Sequence, residues 1–423
     1  RAAELPRPPP ARGAARGLIM ARTGIRFRPP NLQGSPEIDW VLRRAVGPRS
    51  IRVGAVGELD RQTACDIAQK LSLMARIRTR TPRETLEVEV GSESIELFDR
   101  DTVLNTGMEL RHEQVCRDLA RLARELSIPV IWLKGMALRL MQATLPGSRR
   151  TGDIDVLVPR ESGARLYETL LESGCEPSGI RAPEHHFAAI THSLGSAIEI
   201  HHEIDGIRFD NRGYATAGEC FETNLVVEAE GLPPGTFLPA ESLLVAHLLT
   251  HGLSHHGKAP EAYPAFQLIA DLQDLGFGQP EGKSVARESI AWIAGEVSGE
   301  EVSAVIDLLR RLSAGETSSE IVSATSSAAT VLRHWLAGSL DPDYLQSLKL
   351  GRRLEGRGDR NRLLEIVRTA WRAVWLSNHQ VEILYGRPST AMGYLGWRLW
   401  RPFDLVGRTL SSAAAWLRLQ RPK

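Results

Sequence analysis

An α+β fold follows from three features of the sequence. Four apolar, strand-like runs, PVIWL, DIDVLV, HFAAITHSL and SAIEIHHEI, alternate with helix-like segments between about 107 and 230. From 231 onward the strand signal stops and helix-like segments follow one another, so a helical C-terminal domain is expected over 231–423. At 42% hydrophobic and 24% charged residues the chain has enough apolar side chain to build sizeable cores.

The elements are read in order as follows. Residues 1–36 are Arg/Pro-rich (RAAELPRPPPARGAARG) with little to bury, and are expected to be a disordered tail. A mainly helical region is expected over 37–106, with helices at IDWVLRRAV and DRQTACDIAQKLSLMARI, then a hairpin from the alternating TLEVEV and SIELF. Val115, Leu119, Leu122 and Leu126 recur at helical spacing until Ser127-Ile128-Pro129 ends the helix. PVIWL is then a buried strand, GMALRLMQATL a short helix and DIDVLV a second strand, while Gly195-Ser196 marks the turn between the last two strands. In the C-terminal part, LLVAHLLTHGL, FQLIADLQDL, VIDLLRRL and LLEIVRTAWRAVWL are helix-like, broken by the basic GRRLEGRGDRNR.

Charge and cysteines bound the setting. Lys+Arg 52 against Asp+Glu 51 leaves a formal charge of +1, so no global field favours nucleic acid or anionic lipid. The dispersed Cys65, Cys116, Cys175 and Cys220 contain no Cys-x-x-Cys pair, which fits a reduced, cytoplasmic setting. No apolar run approaches the ~18 residues of a membrane-spanning helix, and no signal-peptide pattern opens the sequence.

The chemistry concentrates in DIDVLV. On a strand, residues two apart share a face, so Asp153 and Asp155 project together while Ile154 and Val156 point to the core. Two carboxylates side by side raise each other's pKa, and hard oxygen ligands so placed suit Mg²⁺. Upstream, Lys134-Gly135 joins a strand directly to a helix: glycine permits close backbone approach, the first helical N–H groups are unpaired donors, and the lysine adds charge, together an anion site. In SAIEIHHEI, Glu199, His201 and Glu203 share one face, so Glu199 can stand beside the Asp pair on a neighbouring strand. His202 points to the core and needs a partner there, and His185 and His186 are candidates for the cleft edge.

Jointly, these parts resemble the DNA polymerase β-like nucleotidyltransferase superfamily, whose mixed sheet with flanking helices is then the expected fold. More specifically, LKGMAL…RRTGDIDVLV…IEIHHEI looks like the bacterial family of uncharacterised nucleotidyltransferases. The resemblance implies transfer of a nucleoside monophosphate from a nucleoside triphosphate, with ATP the expected donor, to an acceptor that nothing in the sequence chooses among small molecule, sugar, peptide and protein. It implies that Asp153, Asp155 and Glu199 bind Mg²⁺, that Glu199 helps to deprotonate the acceptor, and that Gly135 and the following amides cradle the triphosphate. Lys134 with Arg149 or Arg150 would offset its charge, and His201 would orient Glu199 or contact phosphate. Two departures stand out: Gly135 is followed by Met136 rather than serine, and the acids come 18 residues after the glycine.

Two other readings are kept. A catalytically silent member of the fold would bind nucleotide or a partner protein. A histidine-based metal hydrolase would use His247, His251 and His255, spaced i, i+4, but it lacks His-Glu-x-x-His and leaves LKG and Asp-Ile-Asp unexplained. Asp271 in FQLIADLQDL is read as a solvated acid, although the family resemblance places an acid there. The final segment mixes Trp397, Trp400, Phe403 and Trp416 with Arg398, Arg401, Arg408, Arg418 and Arg421; packing on its own domain is put first, with membrane-surface contact as the other option.

Overall fold

The computed structural model describes residues 35–48, 59–178, 185–209, 213–255, 265–277, 297–340, 390, 392–393 and 395–401. Two compact units emerge, Pro30–Leu340 and a second formed by Arg1–Pro29 with Asp341–Lys423. In the second unit the described residues 395–401 are helical; residues 1–34 of the tail expected over 1–36, the helix at LLEIVRTAWRAVWL and most of the Trp/Arg segment lie outside the described residues, while Ser35 and Pro36, expected in that tail, instead cap and open the first helix.

The first unit begins with five helices: α1 (Pro36–Ala45), α2 (Arg61–Lys70), α3 (Met74–Arg80), α4 (Arg83–Val90) and α5 (Ser92–Glu125). Ser35 caps α1 and Asp60 caps α2, each accepting from a backbone N–H of the first turn, with Pro36 at the first helical position. The hairpin expected from TLEVEV and SIELF is instead the end of α4 and the start of α5. Leu86 with Val90, and Ile95 with Phe98, are buried at helical spacing, and Arg83 pairs with Glu87 one turn on. Val88, which alternation along a strand would put on one face with Leu86 and Val90, is 71% exposed. Short runs of Glu, Leu and Val satisfy both periods, and the neighbouring helices decide between them. Gly91, at φ 89, makes the break between the two. The 34-residue α5 then runs unbroken through position 107.

After Ser127, which turns the chain at φ 55, comes the mixed sheet. Its central strands are β1 (Val130–Trp132) and β2 (Asp153–Leu157), separated by α6 (Lys134–Leu140). α7 (Arg160–Glu172), β3 (Glu176–Pro177), β4 (Ile190–Thr191) and β5 (Ala197–His201) follow. A two-stranded sheet of β6 (Glu203–Ile204) and β7 (Ala215–Thr216), helix α8 (Ala217–Glu222), β8 (Val226–Glu228) and β9 (Thr236–Pro239) complete this part. The seven strands run in the order β3-β4-β5-β2-β1-β9-β8. β1 is antiparallel to β2, whereas β2 and β5 are parallel, with Asp155 opposite Glu199 and Leu157 opposite His201.

Alternation along the strands separates two faces. Ile154, Val156, Ile198 and Ile200 are fully buried on one. On the other, Ile131 and Leu157 pack with Ile204, Ala217, Cys220, Leu243 and Ala246, so the face that carries the acids continues into a closed apolar core. All four cysteines are buried and form no disulfide.

The chain continues as α9 (Glu241–Thr250), a π-helical turn at His251–His255, α10 (Ala265–Asp274), α11 (Gly299–Ser313), α12 (Ser318–Ser323) and α13 (Ser327–Leu340). The strand signal expected to stop at 231 persists through β9, which pairs with β1, and helices follow it within the same unit to Leu340. Among the described residues no helix is long and apolar enough to cross a membrane.

Arg76 ties the first helices to α10. Its Nε donates to Ala45 O at 2.8 Å, and its two terminal nitrogens fork onto Asp274 at 2.7 and 2.9 Å, with a further bond to Gln273. The guanidinium is buried, so removing it strands a carboxylate and a carbonyl. Arg76→Ala is expected to lower unfolding stability by roughly 3–5 kcal/mol in urea denaturation; a loss below about 1 kcal/mol would show that the bridge does not hold the two parts together.

Candidate active site

The site grows from one pairing. Because β2 and β5 run parallel and in register, Asp153, Asp155, Glu199 and His201 all project from the same face of adjacent strands. Asp155, at the centre, is 2% exposed. Its Oδ1 accepts two hydrogen bonds, from Lys134 Nζ at 2.8 Å and from His201 Nε2 at 2.9 Å. His201 Nε2 also lies 3.7 Å from Glu199 Oε2. Asp155, Glu199 and His201 therefore place ligand-type atoms within 4.8 Å of one another.

Lys134 reaches Asp155 from an unusual backbone. It opens α6 with φ 46, the left-handed region that costs a non-glycine residue of order 1 kcal/mol or more. The ion pair with a buried carboxylate offsets this cost. Burial opposes the lysine's charge, but Asp155 and then Asp153 push its pKa up.

The carboxylates differ. Asp153 is pushed up to about 6, first by the negative charge of Asp155 and then by burial, with Lys134 opposing. Burial disfavours the charged form of Asp155, yet Lys134 and His201 hold its carboxyl well below the usual range. Glu199 is held low mainly by the neighbouring His201, whose Nε2 stands 3.7 Å from its carboxylate, against burial. His201 is penalised by burial but raised by Asp155 and Glu199. The site is thus an acid cluster in which Lys134 and His201 both face Asp155 and one carboxylate, Asp153, is left under-compensated.

The remaining expected residues fall differently. Arg149, expected to face a triphosphate, is buried, and its Nε and Nη2 fork onto Asp271 at 2.9 and 3.0 Å while Nη1 donates to Thr151 Oγ1 at 3.1 Å. Asp271, read as solvated, is 0% exposed and also accepts from Gln267 at 2.8 Å. Gly135 is buried, and the space that its missing side chain leaves is occupied: a Cβ would collide with Arg149 Nη1 and stand 3.0 Å from Thr151 Cγ2. The glycine therefore makes room for the arginine. Arg150 is exposed.

The network of Arg149, Asp271, Gln267 and Thr151 holds the segment leading into Asp153, and sequence reading missed it. Its signal was present: Gln267 and Asp271 are one turn apart on the otherwise apolar stripe of α10. Among the histidines, His185 stacks on His201 at 5.7 Å between ring centroids and His186 lies 4.9 Å away, so both stand beside the cluster. His202 is buried against the edge of Phe187. His247 and His251 meet edge to face, 6.1 Å between ring centroids. The side chain of His255 lies outside the described residues, and among those described the grouping with metal-ligating proximity is the one around Asp155.

The sign of the pH dependence follows. Asp153 binds its proton more tightly folded than unfolded, so from about pH 4 to about 6 the native state holds the extra proton and this group's contribution to stability falls as pH rises. Asp155 behaves in the opposite sense: its contribution is present above the unfolded value of 3.8 and is lost as pH falls below it. In metal-free buffer at pH 7.5, Asp153→Asn is expected to stabilise the protein by up to about 3 kcal/mol, the gain shrinking toward pH 4.5. Asp155→Asn is expected to destabilise it at pH 7.5. Chemical denaturation of both variants at the two pH values checks this, and equal effects would refute the charge assignment.

No curated protein matches the chain. The family model described as "Uncharacterised nucleotidyltransferase" matches residues 57–273, from just before α2 to the end of α10, and so takes in the sheet, the acid cluster and Asp271. With half of its length under that match, the chain belongs to the family of uncharacterised nucleotidyltransferases.

Proposed function

We propose that the site transfers a nucleoside monophosphate from a nucleoside triphosphate, ATP in the first instance, to a hydroxyl-type acceptor. The observation that carries this is the parallel register of β2 and β5, which sets Asp155 opposite Glu199 with Asp153 on the same face. The family match supports it independently.

The residues fit a divalent cation. Asp153 is under-compensated, and Asp155 and Glu199 are ionised oxygen donors on one face. Asp153, Asp155 and Glu199 would hold Mg²⁺, which when bound neutralises charge on the triphosphate. The acceptor oxygen forms a bond to the α-phosphorus, the bond from that phosphorus to the bridging oxygen breaks, and pyrophosphate leaves with the electron pair. Glu199, kept ionised by His201 and with 26% of its side chain exposed, takes the acceptor's proton. Lys134 and Arg150 supply positive charge for the phosphates, and His201 orients Glu199. Gly135, Arg149 and Asp271 act one step back by fixing the segment that delivers Asp153.

A silent, nucleotide-binding protein is the second reading, favoured by one observation: both Lys134 and His201 already occupy Asp155 Oδ1. Label transfer separates the two. Protein, Mg²⁺ and each α-labelled triphosphate are incubated with fractions of small molecules, sugars, peptides and proteins. Transfer of α-label but not of γ-label is expected. Asp155→Asn is expected to lose at least about 1000-fold of it, and Glu199→Gln about 100- to 10,000-fold in kcat. Equal labelling by the native protein and Asp155→Asn would remove the mechanism. Nucleotide binding without transfer to any fraction would select the silent reading.

A further inference from the structure

The register that gathers the four donors also divides them. Asp155 stands opposite Glu199, and His201, one step further along β5, reaches back to both. Asp153 is opposite Ala197, which offers no donor. The converging set is therefore Asp155, Glu199 and His201, without Asp153.

Two neighbouring ligand atoms on a six-coordinate ion with bonds of about 2.1 Å stand roughly 3.0 Å apart, and opposite ones about 4.2 Å apart. His201 Nε2 lies 2.9 Å from Asp155 Oδ1 and 3.7 Å from Glu199 Oε2, both inside that range. The imidazole is buried, flanked by the rings of His185 and His186. Its proton bridges the place where an ion between nitrogen and oxygen would sit. Imidazole nitrogen favours transition-metal dications, whereas Mg²⁺ is served by oxygen ligands and water.

We infer that Asp155, Glu199 and His201 form a mixed nitrogen–oxygen position that takes a transition-metal dication of the Mn²⁺ class in preference to Mg²⁺. This deepens the nucleotidyl-transfer reading and rests on it for its purpose, but it is tested by binding alone, so either can fail without the other.

The full chain, stripped of metal with a chelator, is titrated with Mn²⁺ by electron paramagnetic resonance, alone and against Mg²⁺. Mn²⁺ is expected to bind at least about tenfold more tightly than Mg²⁺. The spin echo of bound Mn²⁺ is expected to carry the modulation of a directly ligated ¹⁴N. His201→Gln, checked for native circular dichroism, is expected to lose that modulation and most of the Mn²⁺ preference while still binding Mg²⁺. Bound Mn²⁺ without ¹⁴N modulation, displacement of Mn²⁺ by an equal concentration of Mg²⁺, or no Mn²⁺ binding would each overturn the inference. The native-protein spectrum decides the matter even if the variant does not fold.

Discussion

Parallel pairing of β2 with β5, in the register that sets Asp155 against Glu199, is the constraint on which the site depends. A shift of two residues would set Asp153 rather than Asp155 against Glu199, and a slip of one residue would turn Asp155 into the apolar layer of Ile154 and Val156. The hydrophobic pattern prevents such a slip, because four isoleucine and valine side chains on the far face are fully buried. Core packing thereby enforces an electrostatic arrangement that is unfavourable by itself. Lys134 and His201 relieve it at a single oxygen, and Asp153 retains the residual repulsion as a raised proton affinity.

Support for this arrangement comes from a second buried network. Arg149 occupies the space beside Gly135 and forks onto Asp271, which links α10 to the chain entering β2. A buried ion pair of this type adds little net stability compared with apolar packing, but it fixes geometry because breaking either partner is costly. Arg76 makes an analogous bridge from the first helices to the end of α10. The family match over 57–273 encloses the Arg149–Asp271 bridge as well as the sheet, and stops one residue short of Asp274.

Much of this was legible in the sequence. Asp153, Asp155, Glu199 and His201 could be placed on one face because strand alternation is strictly periodic and apolar residues flank each of them. The strand–helix–strand order around LKG was equally readable. TLEVEV and SIELF were misread because alternation of Glu with Leu and Val over six residues also suits a helix whose other face is solvated. Arg149, Gly135 and Asp271 were assigned by residue type, charge for phosphate, smallness for ligand approach and acid for solvent. Their partners lie 122 residues apart between Arg149 and Asp271, and no local pattern reports a contact at that separation. The left-handed backbone of Lys134 had no signal either, since lysine is not a residue that announces a positive φ.

The proposed function requires the shared acid face to hold a cation together with a triphosphate tail. Calorimetric titration with a non-hydrolysable nucleoside triphosphate, with and without Mg²⁺, tests it most directly. Mg²⁺ is expected to strengthen binding at least about tenfold in the native protein and to have no such effect once Asp153 and Asp155 are both replaced by Asn. Equal affinity with and without the cation in the native protein would contradict it.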